Sequence, residues 1–76
     1  MNLVPITSLK KGSKGILKSF EDDAIANKLL SMGILPGQTA ILINKTLFNT
    51  TYYLNFDNRL VALRRKEAQQ ILVSQG

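Results

Sequence analysis

The sequence predicts a mainly β domain: a small, strongly bent barrel of about five short strands, with one short helix after the first strand and a helical turn before the last. Three observations lead there. The chain has 76 residues, enough for one domain over 1–76 and too few for a second core. Turn-forming residues recur at short intervals, so the elements between them are short. Apolar residues alternate in the strand segments and take a helical spacing in one segment. A flat sheet of this size would expose unpaired edges, and curling it into a barrel removes them.

Residues 3–9 form a leader containing Pro5 and Ile6, and Lys10, Lys11 and Gly12 make the turn that follows. Residues 13–20 are the first strand. Lys14, Ile16, Lys18 and Phe20 share one parity there and Leu17 has the other, with Gly15 as the expected bend or bulge. Glu21-Asp22-Asp23 opens a helix over 24–32: Asp22 or Asp23 can cap its free N–H groups, and the acids sit at the positive end of the dipole. Ile25, Leu29 and Met32 form its apolar stripe, widened by Ala26 and Leu30, and Gly33 suits the left-handed residue after a helix. So short a helix must pack on the sheet to persist.

Pro36-Gly37 reads as a turn, because Pro presets φ at the second position and Gly supplies positive φ at the third. Residues 39–47 are the longest strand. Ile41 and Ile43 face one way, Ala40 and Leu42 the other, as in a central or strongly coiled strand. Residues 48–51 connect to the clearest hairpin, 52–56 with 59–64, turned by Asp57-Asn58. A two-residue turn pairs Phe56 with Arg59, Leu54 with Val61 and Tyr52 with Leu63. A helical turn over 64–70 with Ala68 inward and a last strand over 71–73 complete the chain, and 74–76 are expected to fray.

Composition removes several function classes. There is no Cys, no His and no Trp, so thiolate and imidazole metal sites and His-dependent nucleophilic or acid–base catalysis are excluded. The zero Cys count fits a reducing compartment. No run approaches the ~20 apolar residues of a membrane helix, and 1–12 lack the pattern of a signal peptide. A cytoplasmic protein is expected. Ten basic against five acidic residues give a net charge of +5. Small soluble domains often carry such a charge; an acidic partner is the sharper reading.

Three collinear segments carry a resemblance: Leu9-x-x-Gly12-x-x-Gly15-Ile16; Leu29-Leu30-Ser31-Met32-Gly33-Ile34-Leu35-Pro36-Gly37; and Leu60-Val61-Ala62-Leu63-Arg64 followed by Glu67-Ala68-x-x-Ile71-x-Val73. Together they span nearly the whole chain and resemble the FeoA family, small cytoplasmic proteins of bacterial ferrous iron uptake. The resemblance implies an SH3-like barrel, in agreement with the element reading. It implies a role beside FeoB, the membrane ferrous iron transporter with a cytoplasmic GTPase domain, and an association with transition metal that comes from the resemblance alone. The same module forms the C-terminal domain of DtxR-like metal-dependent repressors; this chain carries no DNA-binding domain, so that setting is not expected. It departs from the family pattern in having Phe48-Asn49-Thr50-Thr51 and Asp57-Asn58 where glycine is common.

Each candidate site has two readings. In the segment from Met32 to Gly37, Met32 fills the core, Gly33 ends the helix, Pro36-Gly37 turn the chain, and Leu35 is left exposed for a partner. Glu21, Asp22 and Asp23 read as a helix start rather than a hard-cation site, and no metal or cofactor is expected. Phe48 and Tyr53, with Asn55, form a second possible contact patch at the hairpin edge. Lys10, Lys11, Lys14 and Lys18 on one side, and Arg64, Arg65 and Lys66 on the other, are a solvated surface or a docking face for an acidic protein, headgroups or RNA. They adjoin if the terminal strands pair. The partner residues expected are thus Leu35, Phe48, Tyr53, Lys10, Lys11 and Arg65, on a non-enzymatic protein that docks on the transporter's cytoplasmic GTPase region and meets the membrane only through it. A homo-oligomer is possible, and the alternative function is a small basic barrel that binds nucleic acid.

Overall fold

A computed structural model describes residues 2–75; the ends of the predicted 1–76 span, including the Gly76 expected to fray, lie outside them. The strands are β1 (Leu3–Pro5), β2 (Lys14–Phe20), β3 (Thr39–Lys45), β4 (Thr51–Phe56), β5 (Arg59–Arg64) and β6 (Ile71–Ser74), with helix α1 (Asp23–Ser31) after β2 and the single turn α2 (Arg65–Ala68) before β6. They form one six-stranded antiparallel sheet in the order β1-β6-β2-β3-β4-β5. This is the mainly β, SH3-like architecture expected, with one strand more. The sixth is β1, three residues of the leader, followed by a 3-10 turn over Ile6–Ser8 whose Ile6 is fully buried. Three residues ending in proline carry no alternation, and so no strand signal.

The sheet curls around its apolar face, and β1 and β5 stand at its two ends. Among the described residues no ladder joins them. Instead α2 packs against the 3-10 turn on one side and against β4 and β5 on the other, so a helical turn bridges the seam. Two bulges supply curvature, between Leu17 and Ser19 on β2 and between Leu42 and Asn44 on β3. The β2 bulge is at Lys18, not Gly15. Gly15 serves close approach: a Cβ there would lie 2.8 Å from the Ser74 carbonyl oxygen and 3.2 Å from the Val73 side chain.

Leu17, Leu29, Leu42, Leu54, Phe56 and Ile71 are fully buried at the centre of the core. At roughly 1.5–3 kcal/mol for each fully buried large apolar side chain, these contacts hold so small a fold together without a disulfide. Asp22 caps α1, its Oδ1 accepting from the Ala24 N–H at 2.7 Å. Ile25 and Leu29 face the sheet; Met32 is only half-buried, and the deeper position falls to Ile34, just past the helix. The β4–β5 ladder runs in the predicted register, with Asp57 and Asn58 at φ 48° and 72°. Ser74 does not fray: it is buried and pairs with Leu3 and Ile16.

Candidate functional site: an apolar surface framed by two stapled loops

The α1–β3 loop presents Leu35. Gly33 and Gly37 take φ of 83° and 98°, the left-handed conformations needed to end the helix and complete a Pro-Gly turn. Gln38 staples the loop: its Nε2 donates to the Gly33 carbonyl at 3.0 Å, and its Oε1 accepts from the Leu35 N–H at 3.1 Å. The backbone is tied to β2 through Gly37 N–H to Leu17 O at 2.7 Å and Leu17 N–H to Gln38 O at 2.9 Å. Arg59, at the start of β5, donates to the Met32 carbonyl and lies against Gly33. Ile34 is driven into the core while Leu35, its neighbour, is held 48% exposed.

The β3–β4 loop presents Leu47 and Phe48, 88% and 80% exposed. Thr46 closes it. Its hydroxyl oxygen accepts from the N–H groups of Thr50 and Thr51 at 3.0 and 3.1 Å and lies 2.9 Å from the Thr50 hydroxyl. The Thr46 N–H donates to Thr51 O, and the Asn49 N–H to Thr46 O. Asn49 takes φ 56°, a conformation Asn tolerates better than most residues. Leaving a Phe and a Leu in water forgoes about 1.5–3 kcal/mol of burial each. The loop spends its hydrogen bonds on holding two apolar side chains out.

Between the loops runs the outer face of β3, β4 and β5. Tyr53 sits there opposite Ala62, and Leu60 opposite Asn55, with Ile43 on the neighbouring strand; Tyr53, Ile43 and Leu60 are 38%, 40% and 66% exposed. Leu35 and Phe48 do not meet. The first loop is anchored at the Arg59 end of the hairpin and the second at the Thr51 end, about 17 Å apart at 3.4 Å per residue. Leu47 and Leu60 are not among the contact residues the sequence points to, although Leu60 shares the strand parity of Tyr53 and Asn55. Leu47 follows an apolar strand and reads as its continuation, although the turn formers Thr46, Asn49 and Thr50 around it are a legible signal.

The basic residues divide. Lys10 and Lys11 are exposed on the turn before β2, which is fastened by Gly12 N–H to Leu42 O at 2.7 Å. Arg65 is exposed on α2, with its N–H donating to Thr50 O at 3.0 Å, so it stands beside the Leu47–Phe48 loop. Lys14 and Lys18 lie on β2; the chain's first and last strands do pair, β6 with β1 and with β2, while Arg64, on β5, is separated from β2 along the ladder by β3 and β4. A cleft of about 490 Å³ is lined by Thr50, Arg64, Arg65, Lys66 and Glu67. Glu67 is the one acid in it, and it is engaged: it pairs with Lys28 of α1 and accepts from the Arg64 N–H at 3.2 Å. The hydrogen bond from Lys28 holds its carboxyl below the ordinary value of 4.5, against a smaller opposing effect of burial.

Among the described residues no three acids gather into a metal-binding group. Asp22, in the acidic run at 21–23, is occupied in capping α1. Among the described residues no helix is long and apolar enough to cross a membrane.

The family model for the FeoA domain matches residues 4–75. Among solved structures, the crystal structure of an iron uptake regulatory protein (FeoA) is similar over 97% of this chain and 97% of its own, at 23% identity and TM-score 0.80. An FeoA-like protein from Clostridium acetobutylicum is similar over 99% of this chain and 88% of its own, at 21% identity and TM-score 0.88. A manganese-dependent transcriptional repressor, solved in complex with manganese, contains the same fold: 99% of this chain matches 37% of that one, at 18% identity and TM-score 0.88. No curated protein sequence matches.

Proposed function

This chain belongs to the FeoA family, and from that premise we propose that it is a non-enzymatic accessory of ferrous iron uptake that docks on the cytoplasmic GTPase region of an FeoB-type transporter. Family membership points to a role in ferrous iron uptake. The docking reading rests on one observation: two loops at opposite ends of the hairpin are each stapled internally so as to hold apolar side chains, Leu35 and Leu47-Phe48, in solvent. Tyr53 lies on the surface between them. Preorganised apolar side chains with a polar surround are what a protein interface uses as anchors. Lys10, Lys11 and Arg65 are the cations of the rim, adding association rate more than affinity.

The same surface favours a protein over a nucleic acid. Tyr52 is buried and cannot stack on a base, which leaves Phe48 beside Arg65 and Tyr53 on the outer face as separate exposed aromatics, whereas a single-strand groove stacks successive bases on several. The iron is cargo of the pathway, and this chain's part is to contact the transporter.

Capture of detergent-solubilised transporter on the immobilised chain tests the reading. Retention that survives moderate salt and falls at least tenfold with Phe48→Ser or Leu35→Ser is the expected result. A transporter that passes through at micromolar concentration, whole or as its isolated cytoplasmic domain, would refute it.

A further inference from the structure

The two ends of the sheet are protected to different degrees. β1 is three residues long and ends in Pro5, which has no N–H to offer. β5 is six residues long, and its ladder with β4 is free of register shifts. In a hairpin closed by two residues, the flanking pair Phe56 and Arg59 exchanges both hydrogen bonds. Arg59, Val61 and Leu63 therefore face β4, and Leu60, Ala62 and Arg64 direct their N–H and C=O groups away from it. The Arg64 N–H is taken by Glu67. Those of Leu60 and Ala62 meet no partner among the described residues, and both side chains are exposed.

This open edge runs into the cleft of Thr50, Arg64, Arg65, Lys66 and Glu67, whose one acid is already paired with Lys28. Arg59, Arg64, Arg65 and Lys66 carry four positive charges over 59–66, with no acid in that span. A second copy of the chain would lay the same cations against them, and like charges facing each other across a ladder oppose pairing. A strand with acidic residues at one end meets no such repulsion. We propose that the β5 edge is a site of strand addition for an extended acidic peptide segment of a partner protein. Its backbone would pair with Leu60 and Ala62, its apolar side chains would lie beside Leu60, and its carboxylates would enter the Arg64–Lys66 cleft. The surface is defined by β5 whichever protein supplies the strand, so its failure and that of transporter docking through Leu35 and Phe48 are separable.

The test uses the isotope-labelled chain and two synthetic peptides of alternating Val and Thr, one with three Glu at its N-terminus and one with the reversed sequence, which together sample both strand directions. Saturable amide shifts centred on Leu60 and Ala62 with either peptide are expected, together with new protection of those amides from exchange. Ala62→Pro removes the outward N–H while sparing the β4 ladder, and it should weaken binding roughly tenfold or more in a chain whose remaining spectrum stays native. Arg65→Glu, a surface change on a different element, should do the same with β5 intact. Three outcomes would overturn the proposal: no shift with either peptide at millimolar concentration; equal binding of a peptide with Lys in place of Glu; or a dimer of the free chain that already protects Leu60 and Ala62 and dissociates in Ala62→Pro.

Discussion

The side chain of Gln38 brackets Leu35: it accepts from the Leu35 N–H at 3.1 Å and donates to the Gly33 carbonyl at 3.0 Å. One side chain thereby does what a strand partner would do for a loop, and Ile34 is pinned inward while Leu35 is pinned outward. Gln38→Ala removes both bonds at an exposed site, where each contributes on the order of 0.5–1.5 kcal/mol. A loss of about 1–2 kcal/mol in urea unfolding is expected, with faster exchange of the Leu35 amide. Unchanged exchange there would show that the turn alone holds the loop.

Gly15 tests the approach of β2 to β6. A Cβ would sit 2.8 Å from the Ser74 carbonyl oxygen, a backbone atom that cannot swing away. Gly15→Ala should cost about 1–3 kcal/mol and weaken the pairing of Ser74 with Ile16. A neutral result would mean that the two strands part without penalty.

Glu67 gives a pH dependence of known sign. Its carboxyl is held low by the hydrogen bond from Lys28. The folded state therefore binds the proton less well than the unfolded one, and the stabilisation is present above the ordinary carboxylate value and lost as pH falls through the lowered one. For a largely exposed pair the contribution is roughly 0.2–1 kcal/mol. The stability gap between the natural chain and Glu67→Gln should be constant above about pH 5 and shrink below it. A gap that persists unchanged at pH 2 would show that the effect does not come from the charge of Glu67.

Thr46 makes the apolar tip. Thr46→Val keeps the shape and removes an oxygen that accepts two backbone N–H groups. Loss of about 1 kcal/mol is expected, and line broadening should be confined to 46–51. Broadening that spreads into β4 would show that the loop and the strand form one unit.

Much of this was legible in the sequence, for local reasons. Asp57-Asn58 dictate a two-residue turn, and the turn dictates the register of β4 on β5. Asp22, Gly33 and Pro36-Gly37 mark the helix and its exit by capping and turn chemistry. What escaped depends on contacts distant in the chain. β1 exists because Leu3–Pro5 finds β6, with no signal of its own. The β2 bulge moved from Gly15 to Lys18 because the constraint on Gly15 comes from Ser74 and Val73. Of the predicted contact residues, Leu35 is exposed as its turn position implies, whereas the sequence left open which parity of the hairpin faces outward, and only the fold places Phe48 and Tyr53 on the surface. That Leu35 and Phe48 stand at opposite ends of the hairpin, and that Leu47 and Leu60 join the surface, required the fold.

The most direct measurement of the central claim is an NMR titration of the labelled chain with the transporter's purified cytoplasmic GTPase domain, with and without nucleotide. Docking through the stapled loops predicts saturable shifts at Leu35, Leu47, Phe48 and Tyr53, with the buried core unmoved. Shifts absent from these residues at high concentration of the domain, or confined to Lys14 and Lys18, would contradict it.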